Sequence, residues 1–441
     1  MSAAAGVSMM TATAIAVADM IGIGVFTSLG FQVQGIPSGF SLIMLWVLGG
    51  VASLCGALSY AELAAAFPRS GGEYNFLSRI YHPAVGFLAG WISATVGFAA
   101  PVALAAMALG GYAQGIVPDA SPVLVGLGTI WFVTLLQLRG VRQTIAFQNI
   151  WTIGKVLLII AFILASFTLG SAQPISFTPA ASDWSYMTAA PFAISLVFVM
   201  YSYSGWNAAT YIIGEVGNPQ KTLPRALVAA TLIVVLLYVG LNWVFLYTTP
   251  VEKLAGQLDV AQIVGKHIFG DTGGRVVGAI ICLGLVSSIS AMMWIGPRVT
   301  ATMGEDIPAF RHFARKSQNG VPVVAVLFQL AVVNLLFISR SFESVLDYIQ
   351  FSLTASSFLT VLGVIVLRWT KPTLVRPYRV WGYPLTPMVF LSVSLYVMRY
   401  LITNRPLQSL AGAATICLGL LVYLVTRGSR MGPATGELPT R

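Results

Sequence analysis

The sequence predicts an all-α integral membrane protein with twelve transmembrane helices. Three observations carry this: composition, the spacing of the apolar runs, and the sidedness of charge. Of 441 residues, 57% are hydrophobic and 9% charged, where a soluble domain carries roughly a quarter charged residues. Mean hydropathy is +0.84. The 24 Lys plus Arg and 14 Asp plus Glu are too few to coat a 46.9 kDa particle in water, so most of its surface faces lipid. A soluble globular protein is excluded.

A bilayer core of about 30 Å takes roughly twenty apolar residues per helix. Apolar runs bounded by charged or Pro/Gly-rich breaks fall at 9–33, 39–66, 84–113, 122–139, 146–170, 188–214, 224–248, 273–303, 321–339, 344–368, 384–402 and 406–426. The stretch from Val251 to Asp271 is amphipathic and reads as a surface loop with its own helix. Met1 to Gly6 carry no charged n-region, so the first run is read as the first span rather than a signal peptide. Cys55, Cys282 and Cys417 lie inside apolar runs and read as small buried hydrophobes.

An even number of spans puts both termini on one side. The loops and membrane edges on that side hold seventeen Lys and Arg against six on the other, which makes it cytoplasmic. The net charge of +10 is therefore largely a collar that sets orientation. No basic domain exists to bind nucleic acid.

Two charges lie outside that collar. Asp19 is in the first span and Lys155 in the fifth, where ionisable groups usually face the protein interior and mark a pathway or a paired site. In the first span, Asp19-Met-Ile-Gly22-Ile23-Gly24-Val-Phe places two glycines where a continuous helix prefers larger residues. The sixth span has a comparable weak point, Tyr201-Ser202-Tyr203-Ser204-Gly205-Trp206-Asn207. Gly24 and Gly205 occupy corresponding places in two consecutive five-helix blocks, and Gly-interrupted spans in corresponding positions point to a secondary-transporter site. Five helices per block make the second block inverted relative to the first, with spans eleven and twelve appended. The domain organisation is thus 1–170 and 188–368 as the two repeats, 384–426 as the added pair, and 427–441 as a cytoplasmic tail.

Where both helices break, free amides at the start of the following half-helix form an anion site, and freed carbonyls of the preceding half accept from an ammonium. An α-amino acid satisfies both.

At these motifs the sequence resembles the amino acid–polyamine–organocation transporters, most closely bacterial relatives of the L-type amino acid transporters. Gly22-Ile-Gly24-Val-Phe26 is similar to the family's substrate loop. Tyr60-Ala-Glu62-Leu with Pro68-Arg-Ser-Gly-Gly-Glu-Tyr74 resembles its second-helix and loop signature, and Gln148 to Lys155 its fifth-helix segment. Gly205-Trp206-Asn207 leading to Glu215-x-x-Asn218-Pro219 and Leu223-Pro224-Arg225-Ala226 resembles the sixth-helix pattern. Pro297-Arg298, Gly304-Glu-Asp306 and Arg376-Pro377-Tyr378-Arg379 fit later loops. The chain departs from many relatives in having Ile23 in place of Ser, and Asp19 in place of an uncharged polar residue.

The resemblance implies a LeuT-like 5+5 inverted repeat with helices 1 and 6 discontinuous, and alternating access around a central site. It places the substrate on Ile21, Gly22, Ile23, Gly24, Tyr201, Ser202, Tyr203, Ser204, Gly205 and Trp206. The carboxylate falls on the backbone at Ile23 and Gly24, the amino group on carbonyls near Ile21 and Tyr201 to Tyr203, and Tyr201 is the gate. Lys155 takes the place of a sodium ion, with Asp19, Ser287 and Ser288 as coupling partners. Asp19 either pairs with Lys155 or faces the cavity, where it would favour a cationic substrate. The function implied is sodium-independent secondary transport of neutral L-amino acids, proton-coupled or by exchange; the alternative is a cationic amino acid or polyamine transporter of the same fold. Expected partners are the amino acid, the lipid bilayer and protons. No cofactor or metal is expected. No disulfide-linked heavy chain is expected either, since the loop Gln114 to Pro122 contains no Cys. The expected location is a bacterial inner (cell) membrane.

A membrane enzyme is poorly supplied, because His82, His267 and His312 all fall in loops and no paired carboxylate cluster lies within a span. A channel would want a carbonyl filter or a ring of like charges, and neither pattern occurs.

Overall fold

A computed structural model describes residues 7–257, 259–339 and 342–426. The tail expected at 427–441 lies outside the described residues. Among the described residues seventeen α-helices follow in chain order: α1 (Met9–Met20), α2 (Gly24–Gln32), α3 (Gly39–Ala66), α4 (Glu73–Ile80), α5 (Pro83–Ile92), α6 (Ala99–Ile116), α7 (Pro122–Arg139), α8 (Val141–Leu169), α9 (Asp183–Thr188), α10 (Ala190–Ser202), α11 (Pro219–Thr248), α12 (Val251–Leu254), α13 (Val260–Asp306), α14 (Val323–Ser339), α15 (Phe342–Thr370), α16 (Leu385–Asn404) and α17 (Pro406–Thr426). A π-helical turn, Ser93–Gly97, joins α5 to α6, and a 3-10 helix, Ala208–Glu215, follows α10.

Local chemistry explains many of the starts. Ser8, Ser38 and Ser121 accept a backbone N–H three residues on and so cap α1, α3 and α7. Proline occupies the first turn of α5, α7, α10 and α11, where its missing N–H costs nothing. Once started, the apolar runs carry the helices across: α3, with 28 residues, is about 42 Å long at 1.5 Å per residue, enough to span the hydrocarbon with its polar ends outside.

Among the described residues, ten helical segments are long and apolar enough to cross a membrane, counting α1 with α2 and α5 with α6 as one segment each. The other two apolar runs of the sequence correspond to the shorter helices α10 and α14. Helix α3 packs along α11, α6 along α13, and α1 is wedged among α11, α8 and α13. The largest fully buried side chains, Trp46, Trp294, Tyr60, Tyr203 and Tyr238, sit in this inner group. Leu164, Leu236, Leu335, Leu407 and Val425 are exposed on the perimeter, the surface available to lipid tails.

The acidic motifs close on the basic ones. Arg69 meets Asp306 at 2.7 Å, Arg298 meets Glu215 at 2.8 Å, and Glu62 takes both Arg368 at 2.7 Å and Arg376 at 3.3 Å. Motifs from 83 to more than 300 residues apart in the sequence are thus two sides of single ion pairs.

Three sequence expectations need correction. The stretch Val251 to Asp271 carries helices of its own as expected, α12 and the first part of α13, but it does not lie wholly at the surface: Leu254, Val260, Ala261 and Val264 are buried, and α13 bends at Gly270, where φ is 72°. Its apolar side faces neighbouring helices, which an amphipathic pattern does not distinguish from facing lipid. Cys417 is exposed and Cys55 and Cys282 are only partly buried, because a thiol in a membrane helix meets apolar surroundings on either face. Several helices also begin earlier than hydropathy marks them, as α11 does at Pro219 instead of 224, since a polar first turn can project beyond the hydrocarbon.

Candidate functional site: a cavity between two interrupted helices

Helix α1 stops at Met20 and α2 starts at Gly24. At the stop, the Ile21 N–H still reaches the Val17 carbonyl at 2.9 Å, but the Gly22 N–H turns to Met20 at 2.8 Å instead of continuing the helix. As opening residues of α2, Gly24 and Val25 have amides with no carbonyl one turn back in that helix. Helix α10 ends in the same manner: the Ser204 N–H bonds to the Tyr201 carbonyl at 2.9 Å, and Gly205 adopts φ +104°.

The two breaks touch. A Cβ on Gly24 would lie 2.4 Å from Ser202 Oγ, and one on Gly205 would lie 2.6 Å from Asp19 Oδ2 and 2.9 Å from the Asp19 carbonyl carbon. Only glycine permits both approaches, and at 205 it also permits the backbone angle. Tyr238, from α11, holds the two ends together, its hydroxyl lying 2.7 Å from the Met20 carbonyl and 3.0 Å from the Ser202 carbonyl.

A cavity of about 90 Å³ opens at this junction. It is lined by Asp19, Gly22, Ile23, Gly24, Tyr201, Ser202, Ser204, Gly205 and Trp206, and also by Glu73, Ser93, Asn207, Tyr211 and Ser357. Trp206 is fixed by Tyr60, with ring centroids 4.7 Å apart and nearly perpendicular planes. Asp19 Oδ1 is buried and accepts no hydrogen bond among the described residues.

Lys155 lies behind α1, outside this lining. Its Nζ donates to the carbonyls of Ile21 at 3.0 Å, Ala18 at 3.3 Å and Gly284 at 3.4 Å, and to Ser288 Oγ at 3.2 Å. Ser288 Oγ also donates to Ile21 O at 2.6 Å. The ammonium therefore ties the end of α1 to α8 and α13 through an all-oxygen cage. It forms no ion pair with Asp19 within 4 Å among the described residues. Asp19 faces the cavity.

The chain's residues 7–425 match the amino acid permease family. The chain belongs to that family. The permease is similar to the Asc-type amino acid transporter 1 of Mus musculus, 24% identical over 430 residues that cover 95% of this chain and 80% of the relative. It is 25% identical over 433 residues to the large neutral amino acids transporter small subunit 2 of Homo sapiens, with the same coverage of 95% and 80%. It is 24% identical over 403 residues to the serine/threonine exchanger SteT of Bacillus subtilis, covering 89% of this chain and 90% of that one. The family and these relatives are transporters, not enzymes.

In the permease, eight of the ten sequence-derived substrate positions line one cavity. The two others do not. The Ile21 carbonyl is held by Lys155 and Ser288, and Tyr203 is packed between Trp46 and Tyr238 with its hydroxyl on the Trp46 carbonyl at 3.0 Å. Ser288 joins Lys155, whereas Ser287 turns to Thr152 at 3.1 Å and Gln148 at 3.3 Å, since adjacent residues on a helix face about 100° apart.

Sequence reasoning missed Glu73, Asn207, Ser357 and Tyr238. Hydropathy put Glu73 in a loop, but the turn at Gly71-Gly72 bonds its amides to the Tyr211 and Thr210 carbonyls, both at 3.2 Å, and starts α4 inside the bundle. A carboxylate following two glycines in a short interhelical loop was the available signal. Tyr238 gave none, being one tyrosine within an apolar run.

Proposed function

We propose that this permease is a sodium-independent secondary transporter of small neutral L-amino acids, working by alternating access as an exchanger or with a proton. The observation that carries the reading is the direct contact of the two helix breaks around one cavity. The free amides of α2 are suited to a substrate carboxylate, and Asp19 Oδ1 is an unfilled acceptor suited to its ammonium. Taking about 10–15 Å³ for each water-sized position, the cavity holds roughly six to nine heavy atoms, the size of alanine, serine or threonine. The serine/threonine exchanger SteT is named for amino acids of that size, whereas the large neutral amino acids transporter is named for larger ones.

The same reading takes α1 with α2 as an interrupted first helix and α10 with the following 3-10 helix as an interrupted sixth. It follows that the fold is a LeuT-like 5+5 inverted repeat over 1–170 and 188–368, with 384–426 appended, in a cell membrane with both termini cytoplasmic. Tyr201, on the cavity wall, is the gate. The oxygen cage around Lys155 Nζ, three carbonyls and one hydroxyl, is a donor set of the kind that holds a hard cation. A tethered ammonium filling it leaves no role for sodium. No disulfide-linked heavy chain is expected, because the loop at 114–122 has no cysteine.

Asp19 on the cavity wall favours a second reading, a cationic amino acid or polyamine as substrate. Uptake into proteoliposomes, across a panel of amino acids and polyamines with imposed pH and sodium gradients, separates the two. Saturable alanine or serine uptake indifferent to sodium is expected; putrescine uptake without any neutral amino acid uptake would overturn the proposal.

A further inference from the structure

Glu73 is a buried carboxylate for which substrate binding has no use. Its side chain opens α4 and is 2% exposed, yet it lines the cavity. Three donors from three other parts of the fold converge on its Oε1: the Tyr60 hydroxyl from α3, Ser357 Oγ from α15 at 3.0 Å, and Asn207 Nδ2 from beyond α10 at 3.4 Å. None of these three bonds uses Oε2.

No base faces it. Among the described residues, Glu73 has no Lys or Arg within 4 Å, whereas Glu62 and Glu215 both sit on arginines. The Tyr211 hydroxyl, 3.3 Å from Asn207 Nδ2, faces the same spot from the 3-10 helix. On α4 itself, Tyr74 bonds to Asp306 at 2.8 Å and Arg79 to Asn75 at 2.9 Å. The other acid of the cavity is Asp19. Burial holds the Glu73 carboxyl above the ordinary carboxylate range.

The charges of the closed site do not balance. With Lys155 positive and both Asp19 and Glu73 ionised, the closed site carries one excess negative charge. A zwitterionic amino acid does not change it, and burying an uncompensated charge costs several kcal/mol. A cationic substrate brings the missing charge with it; a neutral one does not.

We propose that Glu73 is the proton-binding site of the transport cycle, taking one proton on Oε2 with each neutral amino acid. The proton comes from water on the side of entry, converts carboxylate to carboxylic acid, and returns to water on the side of exit. Protonation also weakens Oε1 as an acceptor, so it loosens the tie among α3, α4, α15 and the segment after α10. Substrate release and proton release are thereby linked. Lys155, saturated by oxygen acceptors, stays a fixed cation.

This inference rests on the neutral amino acid reading. The test measures net alanine uptake into alanine-free proteoliposomes containing the full chain, with proton influx read by an internal pH dye, and alanine counterflow in the same preparation. In the wild-type protein about one proton is expected per alanine taken up, and in Glu73→Gln, fixed in the neutral form, at least tenfold less proton per alanine. In Tyr60→Phe, which removes one donor to the anion, the midpoint of the pH dependence should rise by about one unit. Alanine counterflow in the wild type with no proton influx during net alanine uptake overturns the proton site and leaves the transport reading standing. An unchanged proton stoichiometry in Glu73→Gln overturns it as well. Should Glu73→Gln fail to fold, an unmoved midpoint in Tyr60→Phe does the same. Absence of counterflow of any neutral amino acid overturns both readings.

Discussion

Replacing Lys155 by Met isolates the role of the ammonium, because the unbranched apolar stem is kept and the terminal Nζ is lost with its charge and donors. Of the four groups on Nζ, Ile21 O and Gly284 O retain Ser288 Oγ, at 2.6 Å and 3.2 Å. Ala18 O does not. Its helical partner would be the Gly22 amide, which has turned to Met20. One buried carbonyl is therefore orphaned, at a cost of about 1–3 kcal/mol. At 1.4 kcal/mol per tenfold, the arrangement in which α1 docks on α8 and α13 loses about five- to 150-fold in population relative to conformations where α1 is free. Counterflow of alanine in proteoliposomes should fall by at least the lower figure, and the thermal midpoint of the detergent-solubilised protein should drop with it. Ser288→Ala, which leaves Lys155 in place, should show a smaller loss. Wild-type counterflow and an unchanged midpoint in Lys155→Met would refute the idea that the ammonium ties the first break to its neighbours.

Three further outcomes follow from the geometry. Gly205→Ala combines φ +104° with a Cβ 2.6 Å from Asp19 Oδ2, strain of about 1–3 kcal/mol at the contact between the breaks, so counterflow should fall at least tenfold; wild-type rates would refute the close approach. Tyr238→Phe removes the hydroxyl shared by the Met20 and Ser202 carbonyls and should lower stability by about 1–3 kcal/mol, read as a reduced thermal midpoint. Asp19→Asn removes a charged acceptor worth about 1.5–3 kcal/mol. It should weaken inhibition by cationic amino acids about tenfold or more in a competition assay, and equal inhibition would show that Asp19 does not face the bound molecule.

The spans were legible because each solves its own problem. A run such as Gly39–Ala66 must satisfy its backbone internally in lipid, so its apolar length fixes a helix whatever its neighbours do. The glycines at 24 and 205 were legible as weak points; in the structure Gly24 lies against Ser202 and Gly205 against Asp19. That Ile21 and Tyr203 lie off the cavity lining was not legible. Both belong to the right motif, but which side of a broken helix a carbonyl or ring faces depends on what packs behind it, and here that is Lys155 for one and Trp46 for the other.

By itself the sequence determined that this is a multi-pass membrane protein, where its helices break, and which two charges lie outside the basic collar. These are properties of single segments in a low-dielectric solvent. Only the tertiary structure decided which of those charges meets the cavity. Asp19 and Lys155 approach from opposite sides of the first break, so the lysine is spent on carbonyls and the aspartate is left open. Nor did hydropathy place Glu73 within reach of the site. A short loop counts as outside the membrane by its composition, but its two glycines fold it back between α3 and α15, and burial there comes from packing across distant parts of the chain.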